Sequence, residues 1–283
     1  MARRRSDSAG ATRELLDQLG DLTGRILDQI KLHQARVELA AALQRQVLAA
    51  ELPGVPWLRA AGRYAPARVG LDIGGDWYDG FRLPDGSMGF AIGDVQGHDV
   101  EAAAHMGQVR TCLRAVATAT SDPAEILRRT NDLLVEMACE LFVTCSFLRF
   151  DPVTKELCDA RAGHVPAVWA TTGGHCEIVL DEGGLPLGIH AGERYPSAHR
   201  SLTGTGAFVL LTDGVVEGPA YPIDDGLKTV ADLVGTCCGY DPEQLAAAVI
   251  KVADLTGHSD DAAVLVLRYG ESTGDGLGDS VGG

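Results

Sequence analysis

The sequence predicts an α+β protein in which strands pack with strands and helices with helices as separate layers. Short apolar runs broken by Gly, Pro or Asp-Gly come in consecutive sets. Helical periodicities come in pairs between those sets, and no regular strand–helix–strand alternation joins them.

Residues 11–50 place Leu15, Leu19, Leu22, Ile26, Ile30, Val37, Leu43 and Val47 at spacings near three and four, predicting one long helix that ends at Leu52-Pro53-Gly54. Gly20, Gly24 and His33 weaken its stripe. Set ahead of the main body, this helix is expected to pair two chains as a short coiled coil; its alternative is a helix folded back on its own domain. Trp57–Tyr64, Gly70–Leu83 and Met88–Val95 are predicted as strands of an antiparallel meander, with a hairpin turn at Pro84-Asp85-Gly86. Helices follow at 99–119 and 122–138, the second opened by Ser121-Asp122-Pro123 as cap and first turn. Strands are then predicted at 142–150, 156–171, 175–180 and 207–213, helices at 226–236 and 241–256, and a last strand over Ala262–Tyr269. The tail after Gly270 has hardly any hydrophobe and reads as disordered. Three parts are therefore expected: a helical arm over 1–50, a main domain over 51–270 and a tail over 271–283.

The 283 residues hold 24 Lys plus Arg against 39 Asp plus Glu, a net charge of −15, which argues against a nucleic-acid partner because phosphate backbones need basic stripes. No window carries the run of about 18 apolar residues a membrane helix needs, so the chain is expected to have no membrane partner and to stay in the cytoplasm. Seven cysteines, odd in number and without a CxxC, read as reduced core thiols.

Four acidic positions have unusual neighbours. Two glycines precede Asp76 inside a strand pattern, apolar strands run out into Asp94 and into Asp213, and the pair Asp260-Asp261 opens the last strand. An Asp at the mouth of a buried strand is costly unless paired or coordinated, and few bases lie near these. Each alone also suits a turn cap. Four together suit a metal site, and oxygen-only ligands favour Mg²⁺ or Mn²⁺ over zinc.

The residues that follow carry a resemblance: Arg63-Tyr64-Ala65-Pro66-Ala67, Gly74-Gly75-Asp76-Trp77-Tyr78-Asp79, Gly93-Asp94-Val95-Gln96-Gly97-His98, Ala162-Gly163-His164-Val165-Pro166, Leu185-Pro186-Leu187-Gly188, Thr212-Asp213-Gly214 and Asp260-Asp261. In this order and spacing, over about residues 43–269, the chain resembles the SpoIIE-like branch of the PPM metal-dependent serine/threonine phosphatases. The resemblance implies an α/β/β/α sandwich of two antiparallel sheets flanked by helices. It also implies two Mn²⁺ or Mg²⁺ ions, with Asp94 as bridging ligand, the carbonyl of Val95 on one ion, Asp213 and Asp260 on the other, and Asp76 holding metal-bound waters or a third, weaker cation. The implied reaction is hydrolysis of phosphoserine or phosphothreonine on a small regulatory protein of the anti-anti-sigma type, by a metal-activated water. The alternative is a PPM-fold binding module that docks a partner but turns over little. The implied partner is that phosphoprotein, and helices resembling the relatives' regulatory pair span 99–138. The N-terminal helix itself is read as the place for a second copy of the chain or for an activator, the alternative being a free-standing phosphatase.

Lesser candidates are weighed by geometry. Asp79 stands three residues after Asp76, so a regular strand turns it to the other face, and it is expected either to support the ligands from behind or to be structural. Asp261 is expected to point away from the site for the same reason. His98 is a weak candidate for the general acid, and a structural hydrogen bond accounts for His164 as well as catalysis does. Arg63 and Arg68 are weak candidates for holding phosphate. Asp99 stands where relatives carry glycine and suits a helix N-cap.

Overall fold

The computed structural model describes residues 22–27, 31, 51–55, 57–66, 74–97, 100–138, 141–257 and 260–270. The predicted arm over 1–50, apart from a helical stretch at 22–27, and the tail over 271–283 lie outside the described residues, as do His98, Asp99 and Arg68.

Among the described residues ten strands form two antiparallel five-stranded sheets. One sheet runs in the order β1 (Leu58–Ala65), β10 (Ala262–Tyr269), β9 (Gly206–Leu211), β6 (Val168–Thr171), β7 (Cys176–Ile178). The other runs β2 (Trp77–Arg82), β3 (Met88–Val95), β4 (Val143–Asp151), β5 (Glu156–Ala162), β8 (Ser197–Ser201). Helices α1 (Val100–Ala117) and α2 (Pro123–Glu136) cover the β2–β8 sheet. The opposite sheet is covered by α3 (Asp213–Val216), α4 (Ile223–Cys237), α5 (Pro242–Val249) and α6 (Val252–Thr256). The expected α/β/β/α sandwich is thus the observed one. Among the described residues no helix is long and apolar enough to cross a membrane.

The strands between these layers are apolar on both faces, as burial on both sides requires. In β3, Met88, Phe90 and Ile92 face the core between the sheets, while Ala91 and Val95 face α1 and α2. In β10, Ala263, Leu265, Leu267 and Tyr269 face the inter-sheet core, while Ala262, Val264 and Val266 face the helices of the other layer. In β9, Phe208 and Leu210 face the inter-sheet core and Ala207, Val209 and Leu211 the helices. Every strand that ends near the site therefore has a fixed parity, and parity decides which way the polar residue at its end points.

Three expectations need correction. The first three strands are no meander: β1 pairs with β10 and lies in the opposite sheet from the β2–β3 hairpin. The hairpin itself is as expected, with Gly86 N donating to Leu83 O at 3.0 Å and Ser87 N donating to Asp85 Oδ1 at 3.0 Å. Residues 156–171 are two strands in different sheets, parted at Gly163, whose φ of 63° lets the chain cross over. Of the described cysteines, Cys145, Cys158 and Cys238 are buried thiols as expected, whereas Cys176 on the edge strand β7 is exposed. The edge strand β8 has no counterpart among the predicted elements.

Candidate metal centre

Asp76, Asp94, Asp213 and the Asp260-Asp261 pair come from four separate chain segments, and the two sheets bring them to one end of the sandwich. Asp94 continues the parity of Met88, Phe90 and Ile92, so it points between the sheets where the apolar core ends. Asp76 shares parity with Tyr78 and points the same way from the start of β2. These two strand ends close up through bare backbone: Val95 N donates to Gly75 O at 3.3 Å, and a Cβ on Gly75 would overlap the Val95 carbonyl. Gly75 is therefore required by the close approach that sets Asp76 beside Asp94.

The opposite sheet supplies the rest. After Leu211 the chain turns into α3, with Thr212 at the cap position and Asp213 in the first turn. Thr212 has the inter-sheet parity of Phe208 and Leu210. Its hydroxyl donates to Asp76 Oδ2 at 2.6 Å and accepts from Ala263 N at 2.8 Å, fastening Asp76 to the neighbouring sheet. Asp260 is exposed and its Oδ1 accepts from Asp261 N at 2.8 Å.

Asp261 does not point away. It shares the parity of Ala263 and Leu265, is 1% exposed, and packs so closely under Gly74 that a Cβ there would overlap its carboxylate. It acts on both Asp76 and Asp94. Sequence reasoning missed its place, and that of Thr212, although the alternation along β10 and β9 carried the signal.

The electrostatics follow from this crowding. Burial, then the charge of Asp94, pushes the Asp76 carboxyl well above the usual range. Burial, then Asp213 and Asp260, pushes Asp94 up to about 8, with a hydrogen bond from Asp76 partly offsetting them. Burial and Asp260 raise Asp213. No Lys or Arg is among the largest influences on any of the three. Carboxylates that raise one another cannot all ionise without a counter-charge, and an oxygen-only donor set of this kind fits a hard divalent cation. Among the described residues no three such groups already enclose a single point; the cluster is a loose one.

The lesser candidates separate from it. Asp79 shares the parity of Trp77 and faces the helix layer, as expected, where Arg114 and Arg110 pair with it. His164 is buried and its Nδ1 hydrogen-bonds the Thr144 hydroxyl at 2.8 Å, the structural one of the two roles open to it. Arg63 is taken by Glu243 at 2.5 Å.

Comparison with known proteins bears on the family and the fold. The family model for Stage II sporulation protein E (SpoIIE) matches residues 84–270. The phosphoserine phosphatase RsbU of Bacillus subtilis (strain 168) is 25% identical over 240 residues, covering 83% of this chain and 70% of its own. The solved structure of the RsbU and RsbW domains of Rv1364c from Mycobacterium tuberculosis superposes with a TM-score of 0.70 at 29% identity, over 79% of this chain and 63% of that one. The SiaA-PP2C domain of Pseudomonas aeruginosa shares the fold with a TM-score of 0.69 at 20% identity, over 86% of this chain and 98% of that one. With the sandwich, the placement of the aspartates and a family match over most of its length, the chain belongs to the SpoIIE family of PPM-type, metal-dependent serine/threonine phosphatases.

Proposed function

We propose that the chain removes phosphate from phosphoserine or phosphothreonine on a small regulatory protein of the anti-anti-sigma type, in the cytoplasm, with Asp76, Asp94, the Val95 carbonyl, Asp213 and Asp260 holding two Mn²⁺ or Mg²⁺ ions. The observation that carries this reading is the set of buried or half-buried carboxylates at the shared end of both sheets, each raising the next. When bound, such ions lower the pKa of a water and neutralise phosphoryl oxygens. The chain's part is to hold the carboxylates at the sheet ends. Asp94 and Asp76 are set side by side by the Gly75–Val95 contact, and Thr212 fixes the orientation of Asp76.

Two other chemistries are disfavoured. Cys145 is fully buried and burial pushes its thiol far up, so it offers no thiolate at neutral pH. Burial and Arg161 hold His164 down to about 3, leaving a neutral ring that is too weak an acid to protonate a leaving alkoxide.

The test is Mn²⁺-dependent phosphate release from p-nitrophenyl phosphate and from a phosphorylated protein of the anti-anti-sigma type. Asp94→Ala and Asp213→Ala should each lose at least about 100-fold in kcat; wild-type rates in either variant would overturn the mechanism. An activator or a second copy of the chain would act through the arm at residues 1–50. Deletion of residues 1–42 that changes neither oligomeric state nor rate removes that role.

A further inference from the structure

The β3–β4 pairing sets Thr144 directly across from Asp94. Residues opposite one another in an antiparallel pair share a face, with their Cβ atoms about 4.5–5.5 Å apart. The alternation along β4 agrees: Leu148 and Phe150 face the core between the sheets and Val143, Cys145 and Phe147 the helices, so Thr144 points between the sheets as Asp94 does. It is half-buried, at the edge where the apolar core gives way to the aspartates.

His164 stands behind it. The chain leaves β5 at Gly163, whose φ of 63° turns it toward the other sheet, and a Cβ there would strike Pro186. Gly163 N donates to Gly184 O at 2.8 Å and Arg161 Nη1 donates to His164 O at 2.9 Å, so the backbone that carries the ring is held on both sides. The ring is 2% exposed, with Nδ1 2.8 Å from Thr144 Oγ1.

Only one proton can lie between Nδ1 and Oγ1, and the far side of the ring indicates whose it is. Nε2 is buried with no partner within hydrogen-bond distance. Burial, then Arg161, keeps the ring neutral, while the Leu211 backbone acts in the opposite sense, as an acceptor does toward an N–H. A neutral imidazole carries its proton on one nitrogen, and the surroundings of each nitrogen decide which. An N–H aimed toward a carbonyl is favoured over a lone pair aimed there, which puts the proton on Nε2 and makes Nδ1 the acceptor.

Thr144 then gives its one proton to His164. A hydroxyl has a single donor and two lone pairs, so toward Asp94 Thr144 offers acceptor capacity alone. Ionised carboxylates have no use for a further acceptor. A cation among them brings the missing donor, because Mg²⁺ and Mn²⁺ sites keep several waters whose O–H groups the ion polarises.

We propose that Thr144 belongs to the metal centre as the acceptor for a water carried by the cation, and that His164 is its positioning residue, taking the hydroxyl proton so that the lone pairs face Asp94. This rests on the cation-binding reading above.

The full chain is titrated with Mn²⁺ by calorimetry as wild type, Thr144→Val, Thr144→Ser, His164→Leu and His164→Asn. The control is Thr236→Val, since the Thr236 hydroxyl donates to Asp232 O at 3.0 Å within its own helix. Thermal unfolding in excess chelator is recorded alongside. Thr144→Val keeps the shape without the hydroxyl and should weaken Mn²⁺ binding about tenfold or more. Thr144→Ser, which keeps the hydroxyl, and the control should bind as the wild type does. His164→Leu should weaken binding as Thr144→Val does, whereas His164→Asn, whose amide oxygen can accept in place of Nδ1, should largely retain it. If His164→Leu does not fold, the two Thr144 variants decide. Thr144→Val with wild-type affinity overturns the proposal whatever its melting temperature, and so does Thr144→Ser binding as weakly as Thr144→Val. A loss in Thr144→Val beside wild-type affinity in His164→Leu overturns the part given to His164. A wild-type chain that binds no Mn²⁺ overturns the cation reading and this role together, whereas one that binds Mn²⁺ without hydrolysing phosphate overturns only the phosphatase reading.

Discussion

Single residues at the site do their work through what their neighbours lack. Gly75 is the clearest, because its bare backbone meets the Val95 carbonyl. Gly75→Ala should destabilise the protein by about 1–3 kcal/mol through overpacking, read as a fall in the urea midpoint, and should weaken Mn²⁺ binding with it. His164 gives a pH effect of definite sign. Its folded pKa of about 3 lies below the ordinary 6.5, so between those values the unfolded chain binds more protons and stability rises with pH. The contribution is complete above about pH 6.5 and is lost as the pH falls toward 3. Urea midpoints measured from pH 7 down to 4 should therefore fall more steeply in the wild type than in His164→Asn; equal slopes would contradict this. At this scale much was legible in the sequence: glycine beside Asp76, Asp94 and Asp213 marked the right strand ends. Asp261 was misjudged because its neighbour was taken as the reference, whereas the alternation continuing from Ala263 and Leu265 sets its direction.

Elements were legible where a local rule wrote their ends. The Ser121-Asp122-Pro123 signal holds, since the Asp122 side chain accepts from Ala124 N at 3.2 Å with Pro123 opening α2. Asp122→Ala should cost about 1 kcal/mol, measured by urea denaturation, because one orphan donor of the first turn loses its acceptor. Elements were misread where the deciding contact is distant in sequence. β1 looks like the first strand of a hairpin series, but its partner is β10, about 200 residues on in the chain. Val168–Thr171 looks like the continuation of β5 because both are apolar, and only the pairing with β9 assigns it to the other sheet. β8 is an edge strand whose residues are all exposed or half-buried, so no apolar alternation announces it.

For the whole molecule, the net charge of −15 has a local and a global part. The global part spreads over exposed faces such as α2, where Glu125 and Asp132 pair with Arg128 and Arg129. The local part is the aspartate cluster, where a bound cation would relieve repulsion that folding imposes. Addition of Mn²⁺ at about a hundred times its Kd should raise stability by about 2.7 kcal/mol, and the melting temperature by roughly 5–10 °C, with chelator reversing the change. An unchanged melting curve would argue against binding to the folded state. The layered architecture was readable from composition and grouping; the meeting of the aspartates was not, because it depends on how two sheets align. That alignment has a mechanical side. Asp76 and Asp94 belong to one leaf of the sandwich and Asp213 and Asp260 to the other, so a cation among them would act as a rivet at one end of two leaves otherwise joined by grease. Linkage would make the rivet reciprocal: whatever tightens the leaves against each other would tighten the grip on the ion by the same factor. A substitution deep between the sheets, such as Phe90→Leu, would then register as a change in metal affinity at a distance from any ligand.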